Sequence, residues 1–247
     1  MIDKNIPVTW IDLQNQVSRI LAECGMDTIT PKVIETVRGN AEVDVFAKDI
    51  TVNPSLEIIC ECKYWKNPVP KTVIHSFRSV VSDYGANWGF IISSNGYQSG
   101  AYEAMKNTNI KLLDWLSFQG IFEDRWYNQY FKRQLRAIAE PLVDYTEPMN
   151  TRVFKKADLL NQSAQQEFVD LRGKYADIAF FALSLYAPWH SGKVIDLPLK
   201  TGEMQKGQIS LPAEISESES LRDLLNNLSF FIEHGLEEFD TIFGGRA

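Results

Sequence analysis

The 247-residue chain reads as an α/β protein: a mixed β-sheet flanked by helices, followed by a mainly helical C-terminal region. Three observations predict this. Between Trp10 and about Trp115, short apolar segments interleave with segments of helical periodicity, the pattern of strands alternating with helices. One of those segments, WGFIISS (88–94), is apolar almost throughout, which suits a central strand of a mixed sheet. From about Ser117 the strand patterns give way to long, aromatic-rich helical runs. The boundary is therefore placed between residues 118 and 119, with domains over 1–118 and 119–247.

Residues 9–24 form an amphipathic helix. Thr9 caps its start, Ile11 or Leu13, Val17, Ile20 and Leu21 recur at helical spacing, and Gly25 ends it. Arg19 reads as a solvated charge. After Pro31, KVIETV, the turn Arg38-Gly39-Asn40 and AEVDVFA read as a hairpin leading into the strand that carries Asp44. With the next strand, LEIICECKYWK (56–66), this predicts three consecutive antiparallel strands. KYWKNPVPK (63–71) is a rigid, extended loop. The helix from Lys71 to Tyr84 turns Val73, Phe77, Val80, Val81 and Tyr84 to a core, and Lys71, His75 and Arg78 to another face. After WGFIISS come a polar turn, a short helix over about 98–107 and a last strand, IKLLDW.

The chemistry gathers at LEIICECKYWK. On a strand, Ile59, Glu61 and Lys63 point one way and Ile58, Cys60 and Cys62 the other. Glu42, Asp44 and Phe46 share a face of the preceding strand. The turn-rich TVNPS between them suits adjacent antiparallel strands, which brings Asp44 beside Glu61 and Lys63. Two carboxylates and a lysine suit Mg²⁺- or Mn²⁺-dependent phosphodiester hydrolysis. Hard oxygen ligands hold the ion, and the cationic side chain orients water or offsets developing charge. In the following loop Tyr64 and Trp65 can pack on nucleic acid, while Lys66 and Lys71 can meet phosphates. His75 and Arg78 extend that basic surface, His75 as a phosphate contact rather than a general base. The plainer alternative is that Trp65 packs against its own domain and the cations are solvated.

Asp44, then Glu61-Cys62-Lys63, an amphipathic helix and WGFIISS together resemble the PD-(D/E)xK nuclease superfamily, and within it the Mrr-like restriction endonuclease domains. The resemblance runs from Trp10 to about Trp115 and implies a restriction-endonuclease-like fold. It implies Asp44, Glu61 and the Cys62 carbonyl as metal ligands, Lys63 as the group that positions or activates water, and Ser93 and Asn95 as DNA contacts. The implied function is Mg²⁺-dependent cleavage of duplex DNA in restriction or antiviral defence, by a homodimer that cuts both strands. One position departs. The family's first helix often carries a Glu that completes the metal site, and Gln14 stands there, with Asp12 and Glu42 as candidate substitutes. An amide binds Mg²⁺ poorly, so the alternatives are a catalytically weak or inactive nuclease-fold scaffold in a defence complex, or a Holliday-junction-resolving enzyme sharing the fold.

The remaining features bound these readings. The formal charge is −7, so a DNA-binding surface must be a local patch. Three cysteines, Cys24, Cys60 and Cys62, argue against a disulfide framework and complete no zinc site. The longest apolar run, IAFFALSLYA (178–187), is far shorter than a bilayer span, and MIDKNIPVTW is unlike a signal peptide; a cytoplasmic protein without membrane partners is expected. No P-loop is present. In the C-terminal half, IFEDRWYNQYFKRQLRAIAE reads as a helix whose aromatics (Phe122, Trp126, Tyr127, Tyr130 and Phe131) form core, broken by Pro141 and Pro148. Further helices follow over 162–186 and 214–243, the last opening on the acids of EISESES. Short strands are expected around VIDLPL (194–199) and GQISLP (207–212). His190 and His234 stand alone. This half is expected to serve target recognition, dimerisation or docking of a protein partner.

Overall fold

The structure, a computed structural model, describes residues 1–189, 192–199 and 209–244. The chain divides into two compact units, one of Met1 with Asn5–Gln129 and one of Ile2–Lys4 with Tyr130–Ala247.

The first unit opens with α1 (Trp10–Glu23), whose N-cap Thr9 accepts from the Asp12 amide at 3.1 Å. The Asp12 carboxylate accepts in turn from Val8 N and Gln16 Nε2, both at 2.8 Å. Asp12 is thus spent on the start of the helix and does not substitute for a missing metal ligand. Five strands form the main sheet in the order β1–β4–β5–β6–β7. β1 (Asp27–Ile29), β4 (Val45–Asp49) and β5 (Leu56–Lys63) pair antiparallel. β5, β6 (Trp88–Ser93) and β7 (Ile110–Leu113) pair parallel, with α2 (Lys71–Tyr84) and α3 (Ser99–Met105) as the crossovers.

The expected run of three antiparallel strands does not form. β2 (Lys32–Thr36) and β3 (Gly39–Val43) make their own two-stranded sheet. The chain changes sheets at Asp44: Val43 is paired with Lys32, Val45 with Cys60, and Asp44 belongs to neither ladder.

The core beneath the site joins Val43, Phe46, Ile59, Ile74, Phe77, Val81, Ile91 and Ile110. Each such side chain contributes about 1.5–3 kcal/mol by leaving water. Gly89 sets how closely α2 lies on the sheet. A Cβ there would fall 2.6 Å from Ile110 Cδ1, 2.7 Å from Val81 Cγ2 and 2.8 Å from Phe77 Cε1, so only glycine admits the approach. α4 (Trp115–Trp126) closes the unit. Its Arg125 donates to the Cys24 carbonyl at 2.7 Å and pairs with the Asp49 carboxylate, joining the end of α1 to the end of β4.

A π turn (Tyr127–Phe131) leads into the second unit, which is helical: α5 (Lys132–Thr146), α6 (Thr151–Ala157), α7 (Gln162–Tyr186), α8 (Ala213–Ser216) and α9 (Leu221–Phe243). Tyr145 stacks on Phe239 with ring centroids 4.6 Å apart, and Phe168 meets both Phe154 and Phe239 edge-on. Pro141 lies inside α5 instead of ending it, while Pro148 falls beyond the helix. Phe122, Trp126, Tyr127 and Phe131 are buried, as core aromatics should be. The acids of EISESES belong to α8 and the turn after it, and α9 starts one residue past Ser220, whose hydroxyl accepts from Asp223 N. Residues 194–199 form no strand. GQISLP lies partly, and His190 wholly, outside the described residues. His234 does not stand alone: its Nε2 is 3.2 Å from Glu238, which also binds Lys174 at 2.8 Å. Among the described residues no helix is long and apolar enough to cross a membrane.

Candidate active site

β5 carries Glu61 and Lys63 on one face, two residues apart, as period-two alternation requires. The ammonium of Lys63 donates directly to Glu61 Oε1 and sits 5.3 Å from the centre of the Trp65 ring. Asp44 arrives from the break between β3 and β4. Its Oδ2 accepts the Cys62 backbone N–H at 2.6 Å, the side chain serving where a continued ladder would offer a carbonyl. Asp44 is close enough to Glu61 to raise its proton affinity. Burial is the largest influence on both and pushes each carboxyl above its usual range, with the neighbouring Lys63 only partly opposing it. One ammonium therefore faces two desolvated acids.

Beside the pair opens a cleft of about 350 Å³, lined by Glu42, Glu61, Lys63 and Trp65 and by Thr72 and Ser76 of α2. Glu42 thus lies within reach of the site, on the exposed face of β3. Cys62 takes part through its backbone; its side chain is fully buried and burial holds the thiol protonated. Gln14 meets Asp44 through its amide nitrogen, which donates to the Asp44 carbonyl at 2.7 Å. Among the described residues no group of three or more His, Cys, Asp and Glu side chains converges as metal ligands.

The loop after β5 leaves Tyr64, Trp65 and Lys66 exposed. It is tied to the end of β6: Asn95 Nδ2 donates to the Lys66 carbonyl, and Ser94 Oγ lies 3.4 Å from the Lys63 and Trp65 carbonyls. Ser93 is 1 % exposed and its hydroxyl donates to the Gly96 carbonyl while accepting from Asn95 N. Ser93 therefore closes a turn, where the resemblance implied a DNA contact, and Asn95 spends its amide on the loop. Lys71, His75 and Arg78 are exposed on α2, but the helix turns Thr72 and Ser76 to the cleft. Arg78 lines a separate depression with Trp88 and Asn107.

Thr72, Ser76 and Trp10 were not singled out from sequence. Trp10 lies close enough to the Asp44 carboxylate to favour its charged form. Its spacing of four from Gln14, one helical turn, was the available signal.

Comparison with known proteins finds a family model that matches the segment holding this geometry. Residues 7–121 match the family model Mrr_cat, restriction endonuclease. Two solved structures are similar. A protein of unknown function, AF1548, is 16% identical with a TM-score of 0.38, over 72% of this chain and 95% of that one. The DNA modification-dependent restriction endonuclease AspBHI is 13% identical with a TM-score of 0.29, over 47% of this chain and 36% of that one. No curated protein matches the chain. The Asp44 bend, the Glu61-Cys62-Lys63 strand and the parallel β5–β6–β7 sheet all lie inside the segment that matches the restriction endonuclease model.

Proposed function

We propose that the chain is a divalent-metal-dependent endodeoxyribonuclease whose centre is Asp44, Glu61 and Lys63. The observation that carries this is the pairing of Lys63 with the half-buried Glu61 on the wall of a cleft, with the half-buried Asp44 carboxylate beside them. A fold gains little from desolvating two acids against one cation. The donors are hard oxygens, which fits Mg²⁺ or Mn²⁺. Asp44 and Glu61 would hold the ion, with the Cys62 carbonyl as the third ligand that the family resemblance implies. When bound, such an ion acidifies water and offsets the negative charge that builds on a phosphate. Lys63, held by Glu61 and backed by Trp65, orients the attacking water and donates to a phosphate oxygen. Water adds to phosphorus as the bond to the leaving sugar oxygen breaks, and that oxygen takes up a proton.

DNA is the partner this reading requires, approached through the exposed Tyr64, Trp65 and Lys66, with Lys71, His75 and Arg78 further along α2. A homodimer would cut both strands, and restriction or antiviral defence is the setting such domains suggest. The test is nicking of supercoiled plasmid with Mg²⁺ by the wild type beside Lys63→Ala and Asp44→Ala. Each substitution is expected to lower the rate by about 100-fold or more, the scale of a lost catalytic group. Equal nicking by all three proteins would refute the assignment.

A second reading, a binding-only scaffold, is favoured because among the described residues no three His, Cys, Asp or Glu side chains converge as metal ligands. Calorimetry with Mn²⁺ separates the two, because a scaffold has no binding isotherm to lose on Glu61→Ala.

A further inference from the structure

Helix α1 touches Asp44 at two points. Gln14, 5 % exposed, donates its amide N–H to the Asp44 carbonyl at 2.7 Å. Trp10, one turn earlier on the helix, lies beside the Asp44 carboxylate and favours its charged form. Asp44 needs such support. It is paired in neither the β3 nor the β4 ladder, so no sheet fixes its backbone, and its half-buried carbonyl requires a donor. The Gln14 amide supplies it. A carboxylate at position 14 would bring two unprotonated oxygens against a carbonyl oxygen, with no hydrogen bond and a net repulsion. The residue that departs from the family's acid is therefore matched to what it touches: the contact asks for N–H, and glutamine provides it.

We infer that Gln14 is a positioning residue and not a metal ligand: with Trp10 it fixes the backbone at the strand break so that the Asp44 carboxylate stands beside Glu61 and Lys63. The inference rests on the nuclease reading of that site and says how its first ligand is held. It also separates the site from one completed by an acid on the first helix, because restoring an acid here removes a donor.

The test is Mn²⁺ binding by calorimetry to the full chain without DNA, beside its thermal melt in EDTA, for wild type, Gln14→Glu, Gln14→Met and Trp10→Phe. Gln14→Glu and Gln14→Met are each expected to raise the Mn²⁺ dissociation constant by about tenfold or more, the range for residues that support a ligand. Trp10→Phe is expected to raise it less. A purely structural role would lower the melting temperature and leave the folded protein's Mn²⁺ affinity unchanged, and that result overturns the inference. Tighter binding by Gln14→Glu also overturns it, because position 14 would then be a ligand position. If a variant fails to melt cooperatively, Gln14→Asn, which keeps the amide and loses the reach, decides in its place. A wild type that neither binds Mn²⁺ nor cuts plasmid removes the nuclease reading itself. A wild type that does both, beside indifferent Gln14 variants, removes only this inference.

Discussion

Asp49, which is buried, and the half-buried pair Asp44–Glu61 are acids with opposite fates. Asp49 is 3 % exposed, yet Arg125 clamps it with Nη2–Oδ1 at 3.0 Å, and Thr51 donates to it through both N and Oγ1. Those charge-assisted bonds, the Arg125 contact foremost, hold its carboxyl down to about 2. An unfolded aspartate titrates near 3.9. The pair therefore stabilises the fold above about pH 4, and the contribution fades as pH falls toward 2. The full amount, the Thr51 bonds included, is about 2.6 kcal/mol, because each tenfold change in proton affinity corresponds to about 1.4 kcal/mol. Arg125→Ala is expected to cost most of that at pH 7, and its deficit against wild type to narrow by about 1 kcal/mol at pH 3, read by urea unfolding at the two pH values. A deficit independent of pH would show that Arg125 acts by packing alone. Asp44 and Glu61 are displaced the other way, so they withdraw stability as pH rises through the carboxylate range. At this scale Glu61 and Lys63 were legible because strand alternation fixes their face. The role of Gln14 was not, because its partner is a carbonyl 30 residues away.

Elements explain where legibility stopped. α1, α2 and α7 follow their apolar periodicity closely, because a helix is specified by its own face and caps. AEVDVFA looked like one strand because it alternates from Ala41 to Val45 and runs on without a turn residue, yet it serves two sheets. The switch depends on Asp44 lending its side chain to Cys62 N–H and its carbonyl to α1, neither of which local pattern encodes. Tyr97 is a second case. Its hydroxyl lies 2.6 Å from the Ile91 carbonyl and 2.9 Å from the Leu113 carbonyl, and accepts from Leu113 N at 3.0 Å. One phenol thus pins β6 against β7 behind the site. Tyr97→Phe keeps the ring and strands those backbone groups, so it is expected to destabilise the first unit by about 1–3 kcal/mol. Chemical denaturation measures it, and a change below about 0.5 kcal/mol, the level of an ordinary surface substitution, would mean that the hydroxyl bridges nothing of consequence.

At the scale of the whole chain, sequence order and structural unit part company. Residues 2–4 belong with the helices that begin more than a hundred residues later. Ile2 is fully buried, its carbonyl accepts from Arg222 N at 2.9 Å, Asp3 pairs with Arg222 at 2.9 Å, and Lys4 reaches Asp223 at 2.9 Å. The start of α9 is thus braced by the chain's first residues. Local periodicity carries no trace of this, because three residues are too few to show a pattern. Nor does charge reveal it, since a surface aspartate and a braced one look alike in sequence. Asp3→Ala takes a carboxylate away from Arg222 in a largely buried position, a change worth about 3–5 kcal/mol where the pair is well buried. The loss should fall on the second unit. Hydrogen exchange is expected to speed up in α9 and in α5 and α7 packed against it, while protection of β4, β5 and β6 stays as in wild type. The proposed metal binding at Asp44 and Glu61 should then survive Asp3→Ala. Equal loss of protection in both units would instead mean that they unfold as one, and that damage at residue 3 reaches β4, β5 and β6.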